Sequence, residues 1–408
     1  MSLPDLDRRV WTILLIVFVQ MVGASMIVPI LPLYAERTFD LQPQVITLLL
    51  TAFFAAQFVA GPYLGRLSDR RGRIPVLMLS QMGTAVSFAM LGLAGSVWML
   101  FVARILDGIT GGNIIVAQAY ITDVMPKERR TEALGYIFAA FGIGFIIGPA
   151  LGSLLSTAFG PRIPYLFAAA AATVTFLLSW RVLDETVTPE MQAAQRDHPA
   201  DRLTLPVLLG NGPLLLIFAV GFVGQFGLGT LQATFALYGD AVLFAGYSEQ
   251  ATNIGIGVLL SIVGVAQFGT QAAVLPRLAA RFPDTWLVVG GTLVRGVGML
   301  LFAVAAAPLL GGVAALVFAL GSGTMMPPLQ SLATTSVSED IRGGILGVFQ
   351  SVTSVATILS TAISGTIFAI RPALPLWIGA VITFVVLIPA LILVRQLPDA
   401  APRLPKAA

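Results

Sequence analysis

The stretch GRLSDRRGR, residues 65–73, places five charged side chains between two long apolar segments. The segment before it ends in TAFFAAQFVAGPYL, residues 51–64, and the segment after it is IPVLMLSQMGTAVSFAMLGLA, residues 74–94. A helix needs about 20 apolar residues to cross the hydrocarbon core of a membrane. The charged stretch is therefore typical of a short loop that joins two membrane-spanning helices.

The composition of the whole chain indicates a membrane protein. Of 408 residues, 57% are hydrophobic and only 11% are charged, and the mean hydropathy is +0.91. A soluble domain carries roughly 25% charged residues, and a water-soluble chain of this size could not bury so much apolar surface. We therefore predict an integral membrane protein.

Twelve apolar runs are long enough to span a bilayer as helices. Their approximate limits are residues 10–34, 44–65, 74–94, 97–122, 132–157, 163–183, 212–238, 250–275, 286–305, 308–333, 343–369 and 373–395. The prediction is all-α, because the strands of a β-barrel are about half as long and alternate in polarity. The first run exceeds the roughly 7–15 apolar residues of a signal-peptide core, so we predict that it remains as the first span.

The basic residues fall mainly on one side of this predicted topology. With the N-terminus in the cytoplasm, 18 of the 23 lysines and arginines face the cytoplasm and three face outwards, while Arg104 and Arg295 lie within spans. Because cytoplasmic loops of membrane proteins are enriched in basic residues, both termini are predicted to be cytoplasmic. The net charge of +3 then reflects topology, and we predict no nucleic-acid partner.

Residues that carry enzyme or metal chemistry are sparse. The chain has no cysteine and a single histidine, His198, which lies in a polar stretch, and it contains no HExxH or GxSxG pattern. We predict no enzyme activity, no metal site and no cofactor.

The longest polar interval divides the chain into two parts. Residues 1–183 are predicted to form one six-helix bundle, residues 184–211 a cytoplasmic central loop, and residues 212–408 a second six-helix bundle with a tail.

The two parts repeat each other. RLSDR at 66–70 matches RLAAR at 277–281, and ERRTEALG at 128–135 matches DIRGGILG at 340–347. We therefore predict two pseudo-symmetric halves, an arrangement typical of transporters that alternate access to a site between the repeats. A duplicated bundle without a transport role is the alternative.

Three charged residues lie deep within the predicted spans, where each costs a few kcal/mol and is a functional candidate. Arg104 and Asp107 are three residues apart in span 4 and share one helix face. Asp107 is the only acid well inside a span, so we favour a carboxylate that exchanges a proton, with Arg104 stabilising its ionised form. A static ion pair is the alternative. Arg295 in span 9 has no acidic partner in its own helix, and structural and functional roles stay equally open.

Polar residues within the spans are candidates for a substrate cavity, although some will only hydrogen-bond neighbouring helices. The candidates are Gln20, Asn113, Gln118, Gln225, Gln232, Arg295 and Gln330.

Span 5 carries a glycine pattern, GIGFIIGPALGS at 142–153. Gly144, Gly148 and Gly152 recur every four residues and form a smooth face that lets another helix approach closely. Pro149 is expected to kink or weaken the helix there. A phosphate-binding loop is excluded, because no strand precedes the run.

These features together resemble the major facilitator superfamily, and within it the twelve-span drug/proton antiporters, most of all the tetracycline exporters and their multidrug relatives. RILDG at 104–108 resembles the span 4 arginine motif of this family, and GFIIGPALGS at 144–153 resembles its span 5 antiporter motif. The opening stretch resembles the loop 2–3 motif. Its matching residues are Gly65, Asp69, Arg70, Gly72 and Arg73.

The resemblance implies a cytoplasmic gate at the loop 2–3 motif. Asp69 would lie between the neighbouring arginines and the start of span 11, and Asp123 would join through Arg70 or Arg73. The sequence departs from the family in span 1, where Gln20 stands in place of an acid that many of these exporters carry. Either Asp107 binds the proton, or a peripheral acid such as Glu36 or Asp123 does, or transport is coupled to its energy source in a different way from that of the family.

The resemblance implies a secondary transporter of the bacterial inner membrane that acts as a monomer. We predict proton-coupled export of small amphipathic molecules by alternating access, with the proton gradient as energy source. Flipping of a lipid or glycolipid and uptake of a metabolite are alternatives on the same fold. A membrane enzyme or a receptor is disfavoured, because the chain lacks enzyme motifs and any sizeable extramembrane domain.

Overall fold

A computed structural model describes residues 7–126, 129–187, 210–337 and 341–397, and this part of the chain is helical without any strand. Two π-helical segments, Gly239–Leu243 and Thr270–Val274, continue the helices that end at Tyr238 and Gly269. The helices α1 to α15 are, in order, Arg8–Phe39, Pro43–Arg71, Arg73–Gly92, Val97–Thr110, Asn113–Val124, Arg130–Phe159, Ile163–Val182, Gly212–Tyr238, Glu249–Gly269, Leu275–Ala279, Asp284–Val304, Pro308–Thr335, Arg342–Ile370, Leu374–Val385 and Leu387–Gln396.

Twelve helical segments of the described chain are long and apolar enough to cross a membrane, which confirms the predicted number of spans. They form because, without water in the bilayer core, each backbone N–H and C=O must be hydrogen-bonded within the protein. Large apolar side chains cover the outside of the helices; Trp98 and Leu309, for example, are 80% and 81% exposed. Such a surface suits contact with lipid rather than water.

The charged stretch at 65–73 is not the loop that its composition predicts. α2 continues through it to Arg71, Gly72 alone interrupts the helix, and α3 begins at Arg73. Arginine and leucine are good helix formers, so the helix extends beyond its apolar part. Span 4 instead has a break that we did not predict, because Gly111 and Gly112 separate α4 from α5.

The described residues group into two compact units. The described residues of unit 1 fall within Met1–Leu41 and Leu49–His198, and those of unit 2 fall within Gln42–Leu48 and Pro199–Ala408. Most of the predicted central loop, at 188–209, lies outside the described residues, as does His198. The predicted domain limits therefore stay predictions.

Each unit has its own buried core. In unit 1, α1 packs against α6 and α7, and α3 packs against α4 and α7. Leu77 and Ile137 belong to its core, and both are fully buried. In unit 2, α11 packs against α12 and α8 packs against α13, with Val288 and Leu329 in the core. These contacts bring polar residues from different spans together within each unit.

Candidate functional site

α4 carries a buried ion pair formed by Arg104 and Asp107. Arg104 Nη1 donates a hydrogen bond of 2.8 Å to Asp107 Oδ2, and each residue is 3% exposed. The guanidinium also lies over the ring of Phe53 on α2, with Cζ 4.1 Å from the ring centroid. α2 can come this close because residue 108 is a glycine, whose added Cβ would lie 2.7 Å from Ala56 Cβ. The carboxylate is thus shielded from bulk water and has one cationic partner.

Two uncharged residues extend this ion pair to α3 and α1. Thr84 hydrogen-bonds the Asp107 carboxylate, and its Oγ1 accepts a hydrogen bond of 3.5 Å from Gln20 Nε2. Gln20, Thr84, Arg104 and Asp107 are called the Asp107 cluster below. Gln20 therefore connects indirectly to the buried carboxylate, although it cannot bind a proton itself. Sequence analysis missed Thr84, because a lone hydroxyl in a span gives no functional signal.

We expect Thr84→Val to shift the pH dependence of transport. Valine keeps the shape of threonine but removes the hydrogen bond that stabilises ionised Asp107. The pH of half-maximal transport should rise, because the ionised form of Asp107 loses this stabilisation. Thr84→Ser retains the hydroxyl and should behave like the parent chain. Transport rates measured from pH 5 to 9 test this, and an unchanged profile in the valine variant would contradict it.

A second polar cluster lies where α2 meets α3. Arg73 is 7% exposed; its Nε donates a hydrogen bond of 2.9 Å to Asp123 Oδ2, and its Nη1 donates to Asp69 and, at 3.2 Å, to Ser68 Oγ. The guanidinium thus bridges carboxylates on α2 and α5. Of the two arginines left open as partners of Asp123, the structure selects Arg73, while Arg70 is exposed. The predicted contact of Asp69 with the start of span 11 stays a prediction.

Glu185, directly after α7, is a member of this cluster that sequence analysis missed. Its carboxylate accepts hydrogen bonds from the backbone N–H of Arg73 at 2.8 Å and of Ile74 at 3.1 Å, which satisfies unpaired donors at the start of α3. Thr186 Oγ1 donates to Asp123 Oδ2 at 3.2 Å. No sequence signal distinguishes Glu185, since Arg73 lies 112 residues earlier in the chain.

Gly72 meets two steric demands of this cluster. Its φ of 104° and ψ of 157° lie in a region that is essentially restricted to glycine. An added Cβ would also lie 2.6 Å from Glu185 Cδ. Gly65 differs, because no atom of the described residues lies within 4 Å of an added Cβ there, so sterics do not explain a glycine at that position.

We expect Gly72→Ala to destabilise the protein by about 1–3 kcal/mol, because alanine is strained in this backbone conformation and displaces Glu185 from the start of α3. Transport should fall with the loss of folded protein. Gly61→Ala on α2 is the matched control, since an added Cβ there has open space. Thermal unfolding of the two purified variants tests this, and equal midpoints would contradict it.

The glycines of the span 5 motif lie against α1. An added Cβ would lie 2.8 Å from Met21 Cβ at Gly144 and 2.7 Å from the Val22 carbonyl oxygen at Gly148. Gly152 continues the same face, and α6 runs through Pro149 without ending. The predicted smooth face thus forms the contact between α1 and α6, at a separation that larger residues would prevent.

The candidate cavity residues do not form one group. Gln118 lines an open depression of about 350 Å³ between α5 and α6, referred to below as the cavity beside Gln118. The other residues that line it are Ile115, Ala119, Thr122, Leu134 and Phe138. Gln225 instead donates a hydrogen bond of 3.1 Å to Thr357 Oγ1 on α13. Gln232 is half-buried and Gln330 exposed, and the side chain of Asn113 lies outside the described part of the structure.

Arg295 is 1% exposed inside unit 2. Its Nη2 donates to the carbonyl oxygen of Gly224 on α8, and its Cζ lies 4.9 Å from the ring centroid of Phe318 on α12. Among the described residues, no group of three or more histidines and acids could hold a metal ion.

Comparison with known proteins extends these observations. The Major Facilitator Superfamily model matches residues 13–272. The class H tetracycline resistance protein of Pasteurella multocida is 29% identical over 398 residues, which cover 94% of this chain and 96% of that protein. The class D tetracycline resistance protein of Salmonella ordonez is 30% identical over 360 residues, or 87% and 88% of the two chains.

A solved structure shows the same fold. It is a bacterial homolog of the human lysosomal transporter Spinster in an inward-facing and occupied conformation, with a TM-score of 0.78 and 16% identity over 98% of this chain and 99% of that one. The twelve apolar helices and the tetracycline resistance relatives indicate a multi-pass protein of the bacterial inner membrane, a transporter and not an enzyme. Because the family model matches more than half of the chain, this protein belongs to the Major Facilitator Superfamily.

Proposed function

We propose that this transporter exports small amphipathic molecules in exchange for protons, and that Asp107 binds and releases the proton. The observation that carries this proposal is the Asp107 cluster, in which a buried carboxylate has one cationic partner and accepts a hydrogen bond from Thr84 on α3, which in turn accepts one from Gln20 on α1. An ionisable group at membrane depth is expensive to keep. A role in proton exchange accounts for its presence.

The cluster can couple a proton to a change in shape. When Asp107 is ionised, it pairs with Arg104 and accepts a hydrogen bond from Thr84. When it is protonated, both interactions weaken, so α1, α3 and α4 are held together differently. If proton and substrate favour different access states, binding of one promotes release of the other.

Asp107 fits this role better than the peripheral acids do. Asp123 is engaged by Arg73 and Thr186 at the ends of α3 and α5, outside the middle of any span. Glu36 lies in the last turns of α1. Of these three acids, Asp107 alone lies in the middle of a span, where a change of access would expose it to one side of the membrane and then the other.

The substrate class rests on the cavity beside Gln118 and on the relatives. The depression has a volume of about 350 Å³ and is open, since Ile115 and Phe138 in its wall are 48% and 61% exposed. It would have to close around a bound molecule, because small-molecule sites bury most of their ligand. Its lining is mostly apolar, and Gln118 and Thr122 supply polar groups. Both relatives described above are resistance proteins for tetracycline, which supports export rather than uptake.

Transport by inside-out membrane vesicles tests the proposal. Vesicles with an acidic lumen should accumulate tetracycline against its gradient, and nigericin, which collapses the pH difference, should stop this accumulation. Vesicles without the protein are the control. Accumulation that does not depend on the pH difference across the membrane would contradict proton coupling. Movement of a fluorescent phospholipid instead of tetracycline would favour the flippase alternative.

A further inference from the structure

Positions in the two units can be paired through the internal repeat. α3 and α11 begin 211 residues apart, and so do α4 and α12. α1 and α8 begin 204 residues apart, and the same offset aligns LPLY at 31–34 with FALY at 235–238. The pairing therefore needs no gap within any of these helices.

This pairing relates the Asp107 cluster to the surroundings of Arg295. Gln20, Thr84 and Asp107 correspond in order to Gly224, Arg295 and Phe318. The contacts correspond as well, because in each unit the third-span residue touches both the first-span residue and the fourth-span residue. Arg295 thus occupies in unit 2 the place that Thr84 occupies in unit 1.

The charge balance differs between these two places. Unit 1 provides Asp107 as the partner of its buried guanidinium, whereas unit 2 has the neutral ring of Phe318 at the corresponding position. Among the described residues, no acidic side chain pairs with Arg295, and its Nε has no hydrogen-bond partner. A buried charge without a counter-charge is strongly unfavourable, so a functional reason for keeping Arg295 is required.

We propose that Arg295 binds the anionic group of the transported molecule, so that the substrates are amphipathic organic anions or zwitterions. This inference rests on the export function proposed above and names its substrate class. A guanidinium pairs with carboxylate or sulfonate through two parallel hydrogen bonds. The bound anion supplies in unit 2 the counter-charge that Asp107 supplies in unit 1.

The immediate surroundings of Arg295 suit this role. α8 presents glycines towards it: an added Cβ would lie 3.4 Å from Nη1 at Gly224 and 3.6 Å from Nη2 at Gly227. No side chain of these two residues therefore shields the guanidinium on the α8 side. Met299 and Met325 lie beside the same glycines, and methionine side chains readily adopt new shapes around a ligand.

Binding of a matched anionic and neutral pair tests this inference. Radiolabelled 4-phenylbutyrate and its neutral amide are equilibrated by dialysis with the full chain in lipid nanodiscs, with empty nanodiscs as the control. The parent chain should bind the anion at least tenfold more tightly than the amide. Arg295→Met should remove this preference without changing the affinity for the amide, and Arg295→Lys should retain part of it. No preference in the parent chain, or an unchanged preference in Arg295→Met, would overturn the inference.

A second variant tests the inference if Arg295→Met does not fold. Phe318→Asp places beside Arg295 the carboxylate that unit 1 has at Asp107, and it should abolish the anion preference although the arginine is retained. Retained preference in Phe318→Asp would contradict the inference. The vesicle assay separates the two proposals: anion binding that depends on Arg295 without pH-driven export would refute only the proposed function, and export with no anion preference would refute only this inference.

Discussion

Asp107→Asn is expected to reduce uphill, pH-driven transport to the level of vesicles without the protein. Asparagine has nearly the shape of aspartate and can still accept hydrogen bonds from Arg104 and Thr84, but it cannot exchange a proton in this pH range. Substrate binding in the absence of a pH gradient should persist, because the change leaves the cavity beside Gln118 intact. Accumulation of tetracycline and equilibrium binding of the same compound measure the two properties separately.

The same substitution also leaves the buried charge of Arg104 without a partner. Breaking a buried ion pair in this way destabilises a folded protein by about 3–5 kcal/mol. The double variant Arg104→Gln/Asp107→Asn removes both charges and should recover much of that stability. Transport should nevertheless stay absent, because the proton-binding group is missing. Transport that returns with stability in the double variant would establish Asp107 as one half of a static ion pair.

Asp40→Asn is the matched control for this experiment. Asp40 is exposed at the end of α1 and has a φ of 52° and ψ of 41°, a left-handed conformation that asparagine tolerates well. The chemical change is the same as at Asp107, but the side chain of Asp40 is not buried and has no charged partner inside any span of the described chain. Unchanged transport is therefore expected.

Gly148→Ala is expected to have the second large effect, by forcing α1 away from α6. The added Cβ would lie 2.7 Å from the carbonyl oxygen of Val22 and would overlap Ser25 Oγ, which donates to Met21 O at 2.7 Å. The serine can rotate, but the backbone oxygen cannot. Overpacking of this kind costs about 1–3 kcal/mol, and the gain of up to about 1 kcal/mol from replacing a helical glycine offsets only part of it.

Gly135→Ala on the same helix separates the cost of overpacking from the gain in helix propensity. An added Cβ at Gly135 has open space, so this variant should gain the helix propensity of alanine without the clash. Size-exclusion chromatography after heating compares the two variants, and pH-driven transport by the surviving protein shows whether helix separation also impairs function. A Gly148→Ala variant as stable as Gly135→Ala would refute a tight α1–α6 contact.

The part of the candidate site that lies on one helix could be predicted from the sequence. Arg104 and Asp107 are three residues apart, and helical geometry alone places their side chains together. The glycine face of span 5 could be predicted for the same reason, although its partner α1 could not. The end of α2 was predicted too early, at residue 65 instead of Arg71, because composition marks where apolar residues end and not where a helix ends.

The contacts between helices could not be predicted, because the spans are apolar around most of their circumference. Thr84 lies 64 residues from Gln20, and Glu185 lies 112 residues from Arg73. No period in the sequence indicates which of the many hydroxyls and acids meet over such separations. The choice of Arg73 over Arg70 as the partner of Asp123 likewise depends on how α2, α3 and α5 pack.

The sequence by itself therefore determined the twelve helical spans, the predicted charge asymmetry across the membrane and the presence of a carboxylate at mid-depth. These properties follow from the length and composition of single segments, because the bilayer forces each segment to satisfy its own backbone hydrogen bonds. Only the tertiary structure decided that Gln20 and Thr84 lie next to Asp107 and that Arg295 meets a phenylalanine ring at the corresponding place. Those outcomes depend on which helix faces pack together, and close packing between helices distant in sequence determines that.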